Sequence, residues 1–193
     1  MAGYTREAAR RIFAQEFRES NLTFKDGNDQ YSPQYLFTPT GAKVNRMFIV
    51  GTLIEKEDIG SESEYWRGKV SDPTGSFFIY AGQYQPEAAQ VLSECDTPEF
   101  VAIVGKPSTY TTPEGEILTS IRPESMYIVD GETRDLWVLD TARVTLERLK
   151  VLPTSHPDAL RAKEHYRTEA KHYASMVLKA LRSLQEDIDV MDD

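Results

Sequence analysis

A chain of 193 residues with 22 Lys and Arg against 31 Asp and Glu carries a formal charge of -9. That excludes a general basic coat for nucleic acid and confines any contact with phosphates to a local patch. Apolar residues make up 40%, enough for one core-bearing domain with extensions, and no run approaches the ~18 uninterrupted apolar residues of a membrane span. A single cysteine, Cys95, excludes an internal disulfide and any zinc ribbon of paired cysteines. The start, MAGYTREAARRIF, lacks the apolar core of a secretory signal, so a cytoplasmic location is expected.

Three regions separate by composition: residues 1–43, 44–131 and 132–193. The first begins with a short amphipathic helix, in which Thr5 suits an N-cap, Ala8, Ile12, Phe13 and Phe17 make the stripe, and Asn21 suits the stop. The turn-rich stretch from Lys25 to Lys43, with Gly27, Pro33, Pro39 and Gly41, predicts an ordered arm or linker outside the core.

The middle region is dense in strand signals. Met47 to Ile54 predicts a strand in which Gly51 marks a bulge or a sharp bend. Tyr65 to Ser71 and Ser76 to Ala81 flank Asp72-Pro73-Thr74-Gly75, a type I turn, and so predict a hairpin. Pro86 to Cys95 predicts a short helix opened by its proline. Phe100 to Gly105 and Ile117 to Ile121 follow as strands joined through Thr111 to Gly115, with Met126 to Val129 as a continuation. Three strands, a helix and two strands is the order of an OB-fold. The expected class is therefore mainly β with α extensions, five strands closing into a barrel to remove exposed edges and the short helix plugging one end.

From Thr133 the signal turns helical. Leu139, Ala142, Leu146 and Leu149 make an apolar stripe with Trp137, Val144 and Val151 beside it, and Pro153 and Pro157 end the run. A longer helix is predicted over residues 158–188, with Tyr166, Ala170, Tyr173, Val177, Leu181, Leu184 and Ile188 on one side, before an acidic, frayed tail. The first stripe either packs on its own barrel or binds a partner in an intersubunit helical bundle, and the second expectation is the sharper.

The hairpin carries the most informative chemistry. Alternation along the strands turns Trp66 and Val70 inward and Tyr65, Arg67 and Lys69 outward. On the partner strand Phe77, Ile79 and Ala81 go inward, leaving Phe78 and Tyr80 outward. A four-residue loop sets Lys69 across from Phe78 and Arg67 across from Tyr80. Aromatic faces beside cations are what a single nucleic-acid strand needs, because bases stack at ~1–3 kcal/mol each while cations neutralise phosphates. Tyr84, Lys106, Tyr110 and Arg122 extend the patch if the 106–116 connection folds over the same face. The plainer alternative is that another segment, or a partner, covers these rings.

Charge opposes strong binding. Residues 44–131 hold six Lys and Arg against fourteen Asp and Glu, and Glu55, Glu57, Asp58, Glu62 and Glu64 are read as a solvated loop after the first strand. A Debye length of ~8 Å confines their effect. About four phosphate contacts would give a log–log salt slope of about -2.8. Nothing predicts catalysis. His165, Glu169 and His172 share a helical face but make a poor zinc site, Cys95 reads as a buried inert thiol, and neither a nucleophile elbow nor a Walker loop is present. No enzyme activity, metal or cofactor is expected.

The runs VNRMFIVGTLIEKEDIG, YWRGKVSDPTGSFFIYAG and EFVAIVGKP, with SPQYLFTPTGAKVNR upstream, resemble the archaeal replication protein A-associated proteins. These are relatives of the smaller subunits of replication protein A, the single-stranded DNA-binding complex. The resemblance covers about residues 30–130 well and the helical tail more loosely. It implies an OB-fold accessory subunit that assembles with a larger replication protein A chain, as a hetero-oligomer acting in DNA replication, repair and recombination, in the nucleoid. It implies association through the helix over Asp135 to Leu149, and stacking by Tyr65, Phe78, Tyr80 and Tyr110. The single barrel, the lack of a zinc ribbon and the negative core depart from a main DNA clamp and fit an accessory chain that binds DNA weakly by itself. A scaffold that binds only protein, and an RNA-binding module, are the alternatives.

Overall fold

The structure, a computed structural model, describes residues 7–189. In chain order its elements are α1 (Ala14–Arg18), β1 (Leu22–Lys25), β2 (Gln34–Phe37), β3 (Lys43–Val44), β4 (Met47–Asp58), β5 (Trp66–Asp72), β6 (Gly75–Ala81), α2 (Pro86–Glu94), β7 (Glu99–Thr111), β8 (Ile117–Ile128), α3 (Gly131–Val151), α4 (Pro157–Tyr166) and α5 (Ala170–Asp189).

Strands β4 to β8 close into a barrel in the order β4-β5-β6-β8-β7, with β7 returning to β4. Every pairing is antiparallel except β6 with β8, which meet in parallel at Ile79 and Ile121. This closure with a helix between the third and fourth strands is the OB-fold. Alternation along β5 and β6 sends Gly68, Val70, Phe77, Ile79 and Ala81 inward to Ile49, Leu53, Ile103 and Ile121. Leu92 and Ala88 of α2 are buried at one end of that core.

The first barrel strand differs from expectation in two ways. Gly51 is not the bulge: a Cβ there would stand 2.5 Å from the Ser71 carbonyl oxygen, so glycine permits the close approach of β5. The register shifts further on, between Leu53 and Glu55. The strand also runs on to Asp58, which takes Glu55, Glu57 and Asp58 out of the predicted loop and sets Glu55 and Glu57 opposite Lys69 and Arg67.

The N-terminal region corrects the arm reading. β1, β2 and β3 form a three-stranded antiparallel sheet whose Tyr35, Leu36, Phe37 and Val44 are buried. Phe24 stacks on Tyr35 at 5.5 Å, and the Arg161 guanidinium of α4 lies 4.4 Å over Phe24, so the sheet is covered where a linker would be bare. Residues 7–13 contain no helix, and Thr5 lies outside the described residues. Instead Arg10 pairs with β4: its N–H donates to the Arg46 carbonyl at 2.8 Å and its own carbonyl accepts from Phe48 N–H at 3.0 Å. This fills the edge of β4 ahead of Thr52, where pairing with β5 begins.

The helix that follows is short, and the hairpin turn caps it. Asp72 Oδ2 accepts from Ala14 N–H at 2.7 Å and Thr74 Oγ1 from Gln15 N–H at 3.0 Å. Asp72 Oδ1 also accepts from Thr74 N–H, Thr74 Oγ1 and Gly75 N–H. Burial pushes the Asp72 carboxyl above the usual carboxylate range despite these donors. The D-P-T-G sequence therefore turns the hairpin and anchors α1 on it.

The predicted 158–188 helix is two helices. Arg167 adopts the left-handed conformation at φ 52° and ends α4. At this break the Tyr166 hydroxyl donates to the Phe37 carbonyl and accepts from Asn21 and Leu22 N–H, while Thr168 Oγ1 donates to the Pro39 carbonyl at 2.6 Å. Bonds to the N-terminal sheet thus replace the missing helical turn. α5 packs back on α3 with Tyr173, Met176, Val177 and Ala180 buried, while the Ile188 side chain and residues 190–193 lie outside what is described. His165 and His172 go to separate partners, Asn21 at 2.7 Å and Glu19 at 3.2 Å.

Candidate nucleic-acid interface

The β5–β6 hairpin builds one wall of an open groove. Its register sets Arg67 opposite Tyr80 and Lys69 opposite Phe78, as the four-residue loop predicts. Tyr65 is placed at the rim by the loop before it: Asp58 Oδ1 accepts from Gly60 and Tyr65 N–H, both at 3.0 Å. Those bonds hold the Asp58 carboxyl below its usual range. Gly82 makes room for the Tyr65 ring, since a Cβ there would stand 2.7 Å from it. The Tyr65 and Tyr80 rings stack at 6.0 Å and 23°.

The opposite wall is the far end of the β7–β8 ribbon, where Tyr110 pairs with Leu118. Between the walls lies a groove of about 530 Å³ that gathers Tyr65, Arg67, Phe78, Tyr80 and Tyr110, with Arg18 of α1 at its side. Tyr65 is 42% and Tyr110 63% exposed, while Phe78 and Tyr80 are half-buried by the sheet and still line open space. Phe17 packing on Phe77 at 5.8 Å seats α1 on the hairpin, which is what brings Arg18 here. No sequence signal reported that helix-to-strand contact.

The cations correct the expected positive platform. Arg67 is ion-paired with Glu57 at 2.6 Å and Lys69 with Glu55 at 3.1 Å, each across the β4–β5 register. Two of the five carboxylates read as a solvated loop, Glu55 and Glu57, are therefore the partners of the two hairpin cations. Lys56 Nζ is also engaged, donating to the Leu92 carbonyl at 2.8 Å and to the Cys95 carbonyl at the end of α2. Arg46 pairs with Glu124 at 2.7 Å.

Lys106 and Arg122 lie elsewhere. The connection between β7 and β8 does not fold over the hairpin; the two strands continue as a paired ribbon in which Lys106 stands directly opposite Arg122. Together with Tyr84 they line a separate concavity of about 260 Å³. The single extended patch expected from the sequence is two clusters.

The α3 stripe also divides. Trp137, Ala142 and Leu149 are buried in their own chain, with the Trp137 indole N–H donating to the Phe48 carbonyl at 2.9 Å and its ring meeting Phe13 edge-on at 5.6 Å. Leu139 and Leu146 are 49% and 39% exposed on another side of the helix, together with Leu136. The five predicted partner contacts therefore do not share a face: helical spacing joins them in a broad stripe, and the barrel and α5 take only part of it. Cys95 is buried, which pushes its thiol up. Among the described residues no cluster of His, Cys, Asp and Glu is arranged to hold a metal ion, and no helix is long and apolar enough to cross a membrane.

No family model and no curated protein matches the chain. Solved structures similar to it include the OBody NL8 bound to hen egg-white lysozyme, at 18% identity over 44% of this chain and 93% of that one, with a TM-score of 0.38. The mitochondrial single-stranded DNA-binding protein Rim1 from S. cerevisiae matches at 18% identity, 45% of this chain and 94% of that one, TM-score 0.34. A small single-stranded DNA-binding protein from Mycoplasma pneumoniae matches at 16% identity, 46% and 95%, TM-score 0.35. The fold assignment rests on the strand order and closure of the barrel itself.

Proposed function

We propose that this chain is a non-catalytic OB-fold subunit that holds single-stranded DNA in the groove between the β5–β6 hairpin and the β7–β8 tip. One observation carries the reading: Tyr65, Phe78, Tyr80 and Tyr110 converge in an open groove on the face of the second and third barrel strands. OB-folds take up oligonucleotides on that face and between its flanking loops. Binding is led by stacking. Arg18 offers a guanidinium with no ion pair among the described residues, whereas Arg67 and Lys69 must exchange Glu57 and Glu55 for phosphate. The affinity of the chain alone is therefore low, which suits an accessory subunit beside a larger replication protein A-type chain in replication, repair and recombination.

Fluorescence anisotropy with an oligo-dT of about four nucleotides tests this, in the wild type and in Glu55→Gln with Glu57→Gln. One phosphate neutralised by Arg18 gives a log–log salt slope of about -0.7, and freeing two more cations steepens it to about -2.1 with about tenfold tighter binding at low salt. Absence of binding by both proteins would refute the reading, and an unchanged slope would remove the ion pairs from it. An oligo-U arm separates DNA from RNA preference.

The exposed Leu136, Leu139 and Leu146 on α3 support association with the larger chain through that helix. Leu139→Asp with Leu146→Asp is expected to abolish co-purification from co-expressing cells with the melting temperature unchanged. Retained co-purification would take the helix out of the interface. A scaffold that binds protein alone is the second reading, favoured by the paired state of Arg67 and Lys69. It requires loss of the groove aromatics to leave nucleic-acid binding unaffected.

A further inference from the structure

Among the described residues, four of the six Lys and Arg between positions 44 and 131 have an internal partner: Arg46, Lys56, Arg67 and Lys69. Lys106 and Arg122 have no ion pair among the described residues, and the register places them directly opposite each other on β7 and β8. Like charges at directly opposed positions repel, and both side chains are exposed. On a chain of net charge -9 a carboxylate partner is not scarce, yet Glu124, two residues beyond Arg122, is committed to Arg46. The arrangement leaves two adjacent cations whose repulsion an external anion would relieve.

Their surroundings indicate which anion. Along the same outward side of the ribbon, alternation presents the pairs Lys106 with Arg122, Ser108 with Ser120, and Tyr110 with Leu118. No carboxylate stands among these six residues; Glu87 and Glu124 also line the concavity, with Glu124 held by Arg46. The four steps from Tyr110 to Lys106 span about 13 Å at ~3.3 Å per residue. A track of hydroxyls therefore leads from the aromatic groove to the cation pair. Tyr84, 83% exposed, lines the same concavity as that pair and offers a further ring beside it.

We propose that Lys106 and Arg122 are a phosphate clamp on a second segment of the strand path, reached from the groove along Ser108 and Ser120 and flanked by Tyr84 as a stacking surface. The ligand is the phosphodiester backbone of a single strand whose bases occupy the groove, so this inference rests on the proposed function and extends it. Strands confined to the groove do not reach the clamp; longer ones do.

The test compares oligo-dT of about four and about twelve nucleotides, within the ~4–16 nucleotides an OB-fold covers, on the full chain and on Lys106→Gln with Arg122→Gln. For the wild type the longer oligonucleotide is expected to bind at least about tenfold tighter at low salt, with a slope steeper by about 1.4. The double variant, with unchanged circular dichroism and melting, is expected to lose that gain and that extra slope while its affinity for the short oligonucleotide stays the same. An unaltered gain with length in the variant would overturn the clamp while leaving the groove intact. An equal drop for both lengths would overturn the separate segment, since the cations would then serve the groove. Failure of the wild type to bind either length would refute the groove reading and the clamp with it.

Discussion

Glu16→Ala is expected to lower the unfolding free energy by about 3–5 kcal/mol, the range for breaking a buried ion pair by removing one member. Glu16 sits in α1 with its side chain fully buried. Its Oε1 accepts from Thr40 N–H at 3.2 Å and from the Thr40 hydroxyl, and its Oε2 is 3.2 Å from Arg148 Nη2 of α3. Arg148 Nε in turn donates to Thr40 Oγ1 at 2.7 Å. Alanine leaves a largely buried guanidinium with hydroxyl acceptors on Thr40 and Thr145 but no counter-charge, and it leaves the Thr40 amide without its acceptor, both costly desolvations. At roughly 2–4 °C per kcal/mol for a domain of this size, the melting temperature should fall by about 6–20 °C. Glu16→Gln keeps one acceptor and should lose less. A change below about 0.5 kcal/mol in urea denaturation would show that this network does not join the N-terminal region to α3. The consequence reaches the groove, because the helix that carries Glu16 also carries Arg18.

That network shows where reading the sequence stops. The five barrel strands, the plug helix and the hairpin register were legible because each follows from local rules: period-two alternation, a D-P-T-G turn, a proline at a helix start. The same parity located Phe78, Tyr80 and Tyr65. What was not legible depends on contacts between segments distant in the chain. Residues 25–43 are turn-rich and read as an arm, yet Tyr166, Thr168 and Arg161 from beyond residue 150 fold them into a buried sheet. The Tyr166 and Thr168 bonds also explain the break between α4 and α5, which an uninterrupted apolar stripe concealed. Glu55 and Glu57 were misplaced onto a loop because charged residues end the apolar run. In the barrel, the strand continues past that run, and its carboxylates neutralise the two cations assigned to DNA. Arg18 was missed for the converse reason: its position in the groove is set by Phe17 packing on Phe77.

In the proposed function the rings on the β5–β6 hairpin, more than its charges, hold a single strand. Oligo-dT binding by Phe78→Ala with Tyr80→Ala addresses it most directly. Each ring is worth ~1–3 kcal/mol in stacking, so removing both should weaken binding by about thirtyfold or more. Because Arg67 and Lys69 remain paired with Glu57 and Glu55 in this variant, its salt slope should match that of the wild type. Circular dichroism and melting on the same preparation establish that the variant is folded. The expected result is a folded protein that binds at least about thirtyfold more weakly with an unchanged salt slope; a folded protein that binds oligo-dT as tightly as the wild type would overturn the stacking groove.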